Sequence, residues 1–311
     1  MAGMRHGQEI VVALATVAIF AAASLVNPRF LLESNLNTIF SGNAYVAIAA
    51  IGMSLVIISG NIDVSVGAVI GVLATIAGTL AVRGYPVWIC WIAPIVAGML
   101  TTTCMGALVA YARIPSIVVT LGMLSILRGA LITVTDGVWI TDLPQEFLLA
   151  RRMQFLGLPA PVVLMVGLTI LTALIMRHSA LGRAIYAVGG NAEAARSAGI
   201  RVPRTLLAVF ALHGFFAGVA ALLFATQLQV IQSSVPSGLE LTIITASVIG
   251  GVSILGGSGT VIGSTLAAML FAAIGSSLIF VNVSAYWLKA IVGLLILATV
   301  LADIARRGRV E

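Results

Sequence analysis

Long apolar runs separated by short polar breaks set the pattern of this chain. A helix needs about 20 apolar residues to cross roughly 30 Å of hydrocarbon. Ten segments fit that requirement: 10–26, 36–59, 67–82, 87–111, 114–135, 160–177, 205–230, 239–256, 259–281 and 285–303. The expected fold class is therefore all-α, a polytopic transmembrane helical bundle, with residues 1–311 forming a single transmembrane domain. The first run follows Arg5 and His6 and so looks like a signal peptide. It lacks a clear small-residue cleavage site and many further spans follow it, so it reads as a retained first helix.

Charge sets the orientation, because arginine and lysine gather in cytoplasmic loops. Starting inside at Arg5, alternation also puts the 178–204 loop and the C-terminal Arg306, Arg307 and Arg309 inside. Both termini are thus expected in the cytoplasm, which requires an even number of spans: about ten, with eight the alternative. Arg151 and Arg152 dissent, since this scheme leaves them outside; Asp136, Asp142 and Glu146 nearby offset them. Residues 136–159 form the longest exterior connection, with Trp139 and Phe155 as interfacial anchors.

Composition agrees. The chain is 60% hydrophobic and 8% charged, whereas a soluble domain has about a quarter of its residues charged. Too little polar surface exists to clothe a globule, so the solvent must be lipid. The net charge of +6 sits mostly on arginines at loops and termini, where it serves orientation and lipid headgroups rather than nucleic acid. Cys90 and Cys104 fit no disulfide or metal spacing and read as small core residues. No metal site is expected.

The densest group of charges is a polar island, Gly182 to Ile200 (GRAIYAVGGNAEAARSAGI), flanked by Arg177, Arg201 and Arg204. It must lie in water. Asn191 is a good N-cap, the residues after it are Ala-rich, and Gly199 can end the helix. The island is either an ordinary basic loop or a short helix held against the cytoplasm.

Two glycine-rich motifs interrupt the apolar runs. In Gly60–Gly67 (GNIDVSVG) Asn61, Asp63 and Ser65 lie in a stretch otherwise fit for hydrocarbon. A buried carboxylate is expensive and is paired or faces a polar cavity, and glycines let the backbone leave helical geometry there. The motif reads as a tight turn capped by Asn61 or Asp63, or as a broken helix of the kind at which transporters bind and gate. Asp63 is expected near a span's end. The second motif, Gly250–Gly263 (GGVSILGGSGTVIG), holds Gly250, Gly251, Gly256, Gly257, Gly259 and Gly263, with Ser253 among them. Together with Gly60, Gly67 and the Gly214/Gly218 pair, these are expected to serve close helix packing. Glu240 reads as a first-turn acid near the exterior headgroups or as a group on the translocation path. Arg128, within an apolar segment, needs an acid or a cavity, and Lys289 beside Trp287 is expected to snorkel.

A nucleotide-cradling P-loop needs a lysine, and the only one is Lys289 in WLKAIVG. Any ATP must be hydrolysed by another subunit. The three histidines, His6, His178 and His213, are scattered along the sequence, which argues against an enzyme. GNIDVSVG and GGVSILGG do not fall at corresponding junctions of a five-plus-five division, so no inverted repeat is read from them.

In order along the chain, GNIDVSVG, IPSIVVTLGMLSILRG (114–129), GRAIYAVGGNAEAARSAGI, GLELTIITASVIGGVSILGGSGTVIG (238–263) and VSAYWLK (283–289) resemble the permease subunits of bacterial sugar-importing ABC transporters. That family includes the ribose, xylose, arabinose, galactoside and autoinducer-2 permeases. The resemblance runs from about residue 40 to 300. Asn61 departs from a common glycine, and Ser258 from a common basic residue. The resemblance implies an inner-membrane subunit that forms the translocation path by alternating access. It also implies two separate ATP-binding subunits using ATP and Mg, a second permease (identical or related) and a periplasmic or lipid-anchored sugar-binding protein. The 178–204 loop becomes the coupling loop to the ATPase, with Gly182, Arg183, Gly189, Gly190, Asn191, Glu193, Ala194, Ala195 and Gly199 as its contact residues. Asn61, Asp63, Ser65, Glu240 and Ser253 become path or gating residues. The rival class is an ion-coupled secondary carrier of a small solute, which would need Asp63 or Glu240 to titrate within the path.

Overall fold

A computed structural model describes residues 2–149, 153–155, 157–227, 230–232, 234, 238–284 and 286–307. Arg151, Arg152 and Arg309, which enter the orientation reading, lie outside these residues. The regular structure of the described residues is helical, apart from a hairpin of two two-residue antiparallel strands, β1 (Gln154–Phe155) and β2 (Leu158–Pro159), in the long connection and an isolated bridge between Ile140 and Ile231. The all-α expectation needs only that correction. In the hairpin, Gly157 takes up φ +79° at the turn.

The helices are α1 (Ala2–Val26), α2 (Glu33–Phe40), α3 (Ala44–Ile58), α4 (Val66–Val82), α5 (Val87–Ala110), α6 (Ser116–Thr135), α7 (Ala160–His178), α8 (Ala180–Gly190), α9 (Ala192–Ser197), α10 (Val202–Ala225), α11 (Leu239–Ile249), α12 (Val261–Phe280) and α13 (Trp287–Arg307). Each of the ten apolar segments read from the sequence overlaps one of them, with α2 and α3 sharing the second. Among the described residues, seven stretches are long and apolar enough to cross a membrane, by length and composition: α1, α2–α3, α5, α6, α7, α10 and α12. Val66–Val82, Leu239–Ile249 and Trp287–Thr299 are apolar but shorter. The eighth segment stops at Ile249 rather than 256, because the chain turns at Gly250 and Gly251, the latter at φ +99°.

A helix that is apolar all round belongs in the centre. In α3 every residue but Tyr45 is buried, and α10 is buried along most of its length. Around them α4, α11 and α12 complete the core. By contrast α1 and α6 turn most of their surface outward. Cys90 is buried as expected, but Cys104 faces out of α5. Its place on the core side of that helix is taken by Thr102, Met105 and Gly106.

Lipid gives apolar helices no hydrophobic reason to associate, so small residues that admit close backbones decide the crossings. The clearest is α5 on α10. A β-carbon on Gly214 would collide with the Gly98 carbonyl and the Thr102 hydroxyl, and one on Gly218 would lie 3.0 Å from Pro94 O. Thr102 Oγ1 donates 2.7 Å to Phe210 O across this seam. The packing role read for Gly214 and Gly218 is thus the one the structure gives them. A second apolar cluster joins α1, α2 and α12 through Phe30, whose ring centroid lies 5.3 Å from Phe20 and 5.5 Å from Phe280.

Candidate functional site

After α3 the chain turns at Gly60 (φ +82°) and runs without helix to Ser65. Such a segment leaves backbone groups unpaired in a place without water, and α6 supplies the missing partners. Ser116 Oγ accepts from Ile62 N and Thr120 Oγ1 accepts from Val64 N, both at 3.2 Å. Thr120 Oγ1 also lies 3.4 Å from Ile62 O, to which it can donate. The two hydroxyls sit four residues apart and so face the same side of α6.

Asp63 lies at the centre of this segment and is wholly buried. Its Oδ1 accepts from Ser65 N at 2.7 Å and from Ser65 Oγ at 2.5 Å. Its Oδ2 lies 3.0 Å from Nε2 of His213 on α10, which is equally buried. The ring donates to this oxygen in the tautomer that carries the proton on Nε2. His213 Nδ1 has no partner and lies against Gly52, where a β-carbon would come within 2.9 Å of it. Gly52 is six residues, about 9 Å, before the end of α3. The first turn of α4, Val66 to Ala68, is buried as well. Asp63 lies in the non-helical stretch between α3 and α4 and is joined through His213 to α10. Spacing hid His213 because the partners are 150 residues apart. The one available signal was a histidine within an apolar span, the same signal that marked Asp63.

The short helix α11 also starts inside, at Gly238 (φ +89°), and its first turn abuts the first turn of α4. A β-carbon on Gly67 would lie 2.6 Å from Glu240 Oε2 and 3.2 Å from Glu240 N. Glu240 is buried, and its Oε1 lies 3.1 Å from Arg128 Nη2. This supplies the acid that Arg128 required. Oε2 has no partner. Asn61 stays at the Gly60 turn, its amide donating to Ser59 O at 3.2 Å. Ser253 belongs to a different place, the glycine turn beyond α11, where its carbonyl accepts from Gly256 N at 2.9 Å.

The polar island folds as two helices. Ser179 caps α8 by accepting from Gly182 N at 2.9 Å, and Asn191 caps α9 by accepting from Ala194 N at 2.9 Å. Gly199, at φ +84°, ends α9. The candidate residues divide by the side they face. Arg183, Gly190, Asn191, Glu193, Ala194 and Gly199 are exposed, whereas Gly182 packs on the Met176 backbone and Ala195 is buried. Gly189 joins the glycine motifs. A β-carbon there would overlap the Ile58 carbonyl and lie 2.8 Å from Gly257 N, and Gly257 N itself donates 2.8 Å to Ile58 O. Gly256, at φ +83°, packs against the Gly60 backbone with the same closeness, and Tyr186 Oη donates to Gly259 O at 2.8 Å. Gly263 meets Gly250, and Gly251 lies against Gln8 of α1. The end of α8, the end of α3 and the turn beyond α11 therefore form one joint of backbone on backbone. The repeat-like motifs do not share a topological position, but they touch.

A family model described as "Branched-chain amino acid transport system / permease component" matches residues 35–300. Among curated relatives, the "Autoinducer 2 import system permease protein LsrC" of Shigella flexneri is 35% identical over 300 residues, 96% of this chain and 88% of the relative. The proteins of that name from Escherichia coli (strain K12 / DH10B) and Salmonella paratyphi B are also 35% identical over 96% of this chain, and 88% and 87% of the relatives. No solved structure matches.

Proposed function

The chain belongs to the branched-chain amino acid transport system permease-component family and is the membrane permease subunit of an ABC importer; from that premise we propose that its solute is a sugar or sugar-like molecule. The support is the likeness to permeases named for autoinducer 2 import. In this reading ten helices span the bacterial inner membrane, the three short ones included, with both termini and the 178–204 loop in the cytoplasm. ATP and Mg are used by separate ABC subunits, a binding protein delivers the solute from outside, and a second permease completes the path.

The observation that carries the coupling assignment is the joint at Gly189. There the end of α8 rests directly on the carbonyl of Ile58 and the amide of Gly257. A push on the α8–α9 hairpin reaches, without an intervening side chain, the two turns from which the 61–65 segment and α12 depart. A second link runs through α10, which leaves the hairpin at Val202 and carries His213 to Asp63. The exposed Glu193, Ala194 and Asn191 offer the docking face, while Gly182, Gly189 and Ala195 transmit from the side facing the bundle.

The test is co-purification from gently solubilised membranes, with mass spectrometry of what accompanies the chain. Recovery of an ATP-binding subunit that is lost with Glu193→Arg, along with uptake, is the expected result. Glu193 is exposed, so the chain itself should remain in the membrane. Retention of the ATPase and of uptake in Glu193→Arg would move the coupling site elsewhere.

A further inference from the structure

A cleft of about 400 Å³ lies where the end of α5, the short helix α9 and the first turn of α10 meet. Val109, Val202 and Leu206 line it with buried side chains, whereas its two arginines, Arg113 and Arg196, are exposed. The cleft is thus apolar at depth and cationic toward the surface. Exposed Tyr111 also lines it, and tyrosine suits the boundary between lipid and water. Neither arginine has a counter-ion. Among the described residues the ion pairs are Arg128–Glu240 and Asp63–His213, and no side-chain hydrogen bond engages Arg113 or Arg196. Glu193, three residues before Arg196, is not paired with it either. Arg113 also stands at φ +55°, a left-handed conformation in which a side chain is strained. Orientation of the bundle asks for arginines at this end, but not for an apolar wall beneath them.

Resting on the reading above that places this end of the bundle in the cytoplasm, we propose that the cleft binds one anionic phospholipid of the inner leaflet. Its phosphodiester lies between Arg113 and Arg196, and the start of an acyl chain lies against Val109, Val202 and Leu206. A guanidinium presents a planar fork of N–H donors that matches phosphate oxygens. Basic pockets between helices on the cytoplasmic side suit such head groups. A soluble anion would satisfy the arginines and leave the apolar wall uncovered. A zwitterionic lipid would cover the wall but bring its own ammonium toward two guanidinium groups. An anionic lipid meets both demands. Because Arg196 belongs to α9 and Arg113 follows α5, the bound lipid would also tie the α8–α9 hairpin to the end of α5.

The test is native mass spectrometry of the assembled importer, and of this chain without the ATPase, in detergent. Each is titrated with phosphatidylglycerol, phosphatidylcholine, glycerophosphoglycerol (the same head group without acyl chains) and inorganic phosphate. One phosphatidylglycerol per chain should bind about twentyfold more tightly than phosphatidylcholine, in both preparations. Arg113→Gln and Arg196→Gln should each weaken it by about fivefold, the weight of one arginine beside an anionic lipid. Both side chains are exposed, and either variant alone suffices if the other fails to assemble. Arg204→Gln, which helical spacing puts on the side of α10 away from Val202 and Leu206, should change nothing. Four results overturn the proposal. They are no preference over phosphatidylcholine, equal losses with Arg204→Gln, and binding of the chain-free head group or of phosphate as tight as that of the lipid. The fourth is loss of the lipid on assembly, which would mean that the ATPase fills the cleft. The titration needs neither transport nor ATP hydrolysis, so failure of the importer reading would not be mistaken for failure here.

Discussion

Gly189→Ala is the sharpest perturbation of the backbone joint. Neither Gly189 nor its neighbour Gly190 is in the left-handed region, and both end α8, so the two differ in surroundings rather than conformation. A methyl on Gly189 overlaps the Ile58 carbonyl and lies 2.8 Å from Gly257 N, whereas on Gly190 the nearest atom is Gly257 Cα at 4.0 Å. Overpacking of a close interface costs about 1–3 kcal/mol. Separation of Gly257 N from Ile58 O adds about 1 kcal/mol. Against these, alanine in place of glycine within a helix gains roughly 0.5–1 kcal/mol. Gly189→Ala should thus lose about 1.5–3 kcal/mol, seen as an apparent Tm lower by about 5 °C in tryptophan fluorescence of the solubilised protein. Gly190→Ala should equal or slightly exceed the wild type. In vesicles with the ATPase, Gly189→Ala should also lower solute moved per ATP hydrolysed, because the joint it opens is the proposed transmission point. Equal melting and equal transport per ATP for the two variants would refute the joint.

The other perturbations concern stability and are read the same way. Asp63→Ala and His213→Ala each strand a buried partner and should cost about 3–5 kcal/mol; the double variant should cost clearly less than the sum, and additive losses would mean that the two do not interact. Gly214→Ala drives a methyl into Gly98 and Thr102 and should destabilise by about 1–3 kcal/mol, while Gly167→Ala, with nothing within 4 Å, should be neutral in the same melt. Thr120→Val removes the acceptor for the buried Val64 N–H at about 1–3 kcal/mol, and hydrogen exchange at Val64 should quicken with it.

The helices were legible because each had to present apolar residues over a fixed length, and that demand is written locally. The caps of α9 were legible too: Asn191 and Gly199 do what their chemistry allows at those positions. Which helices meet was not. In helices apolar all round, such as α3, hydropathy does not distinguish a face, so nothing in the pattern could show that α4 and α11 begin side by side. The pairings of Asp63 with His213 and of Arg128 with Glu240 follow from that packing. Ser116 and Thr120 could have been found: two hydroxyls four apart, directly after Pro115, can satisfy a backbone that has left the helix.

The two buried pairs use similar chemistry to opposite ends, and burial is what separates them. Asp63 and His213 are both sealed, and every carboxylate oxygen is engaged, Oδ1 by Ser65 and Oδ2 by the imidazole. A pair so enclosed cannot exchange partners without exposing a charge to the protein interior. It therefore fixes the unwound segment to α10 and moves only when α10 moves. Arg128 and Glu240 share one short contact, but the guanidinium is half open and one carboxylate oxygen is unengaged. Exchange there costs less, since water can take over a bond as it is released. The rigid pair stands on the helix that leaves the α8–α9 hairpin, and the labile one at the meeting of α4 and α11. Motion of the hairpin would thus carry Asp63 as a unit and, through α4, change the distance between Gly67 and Glu240.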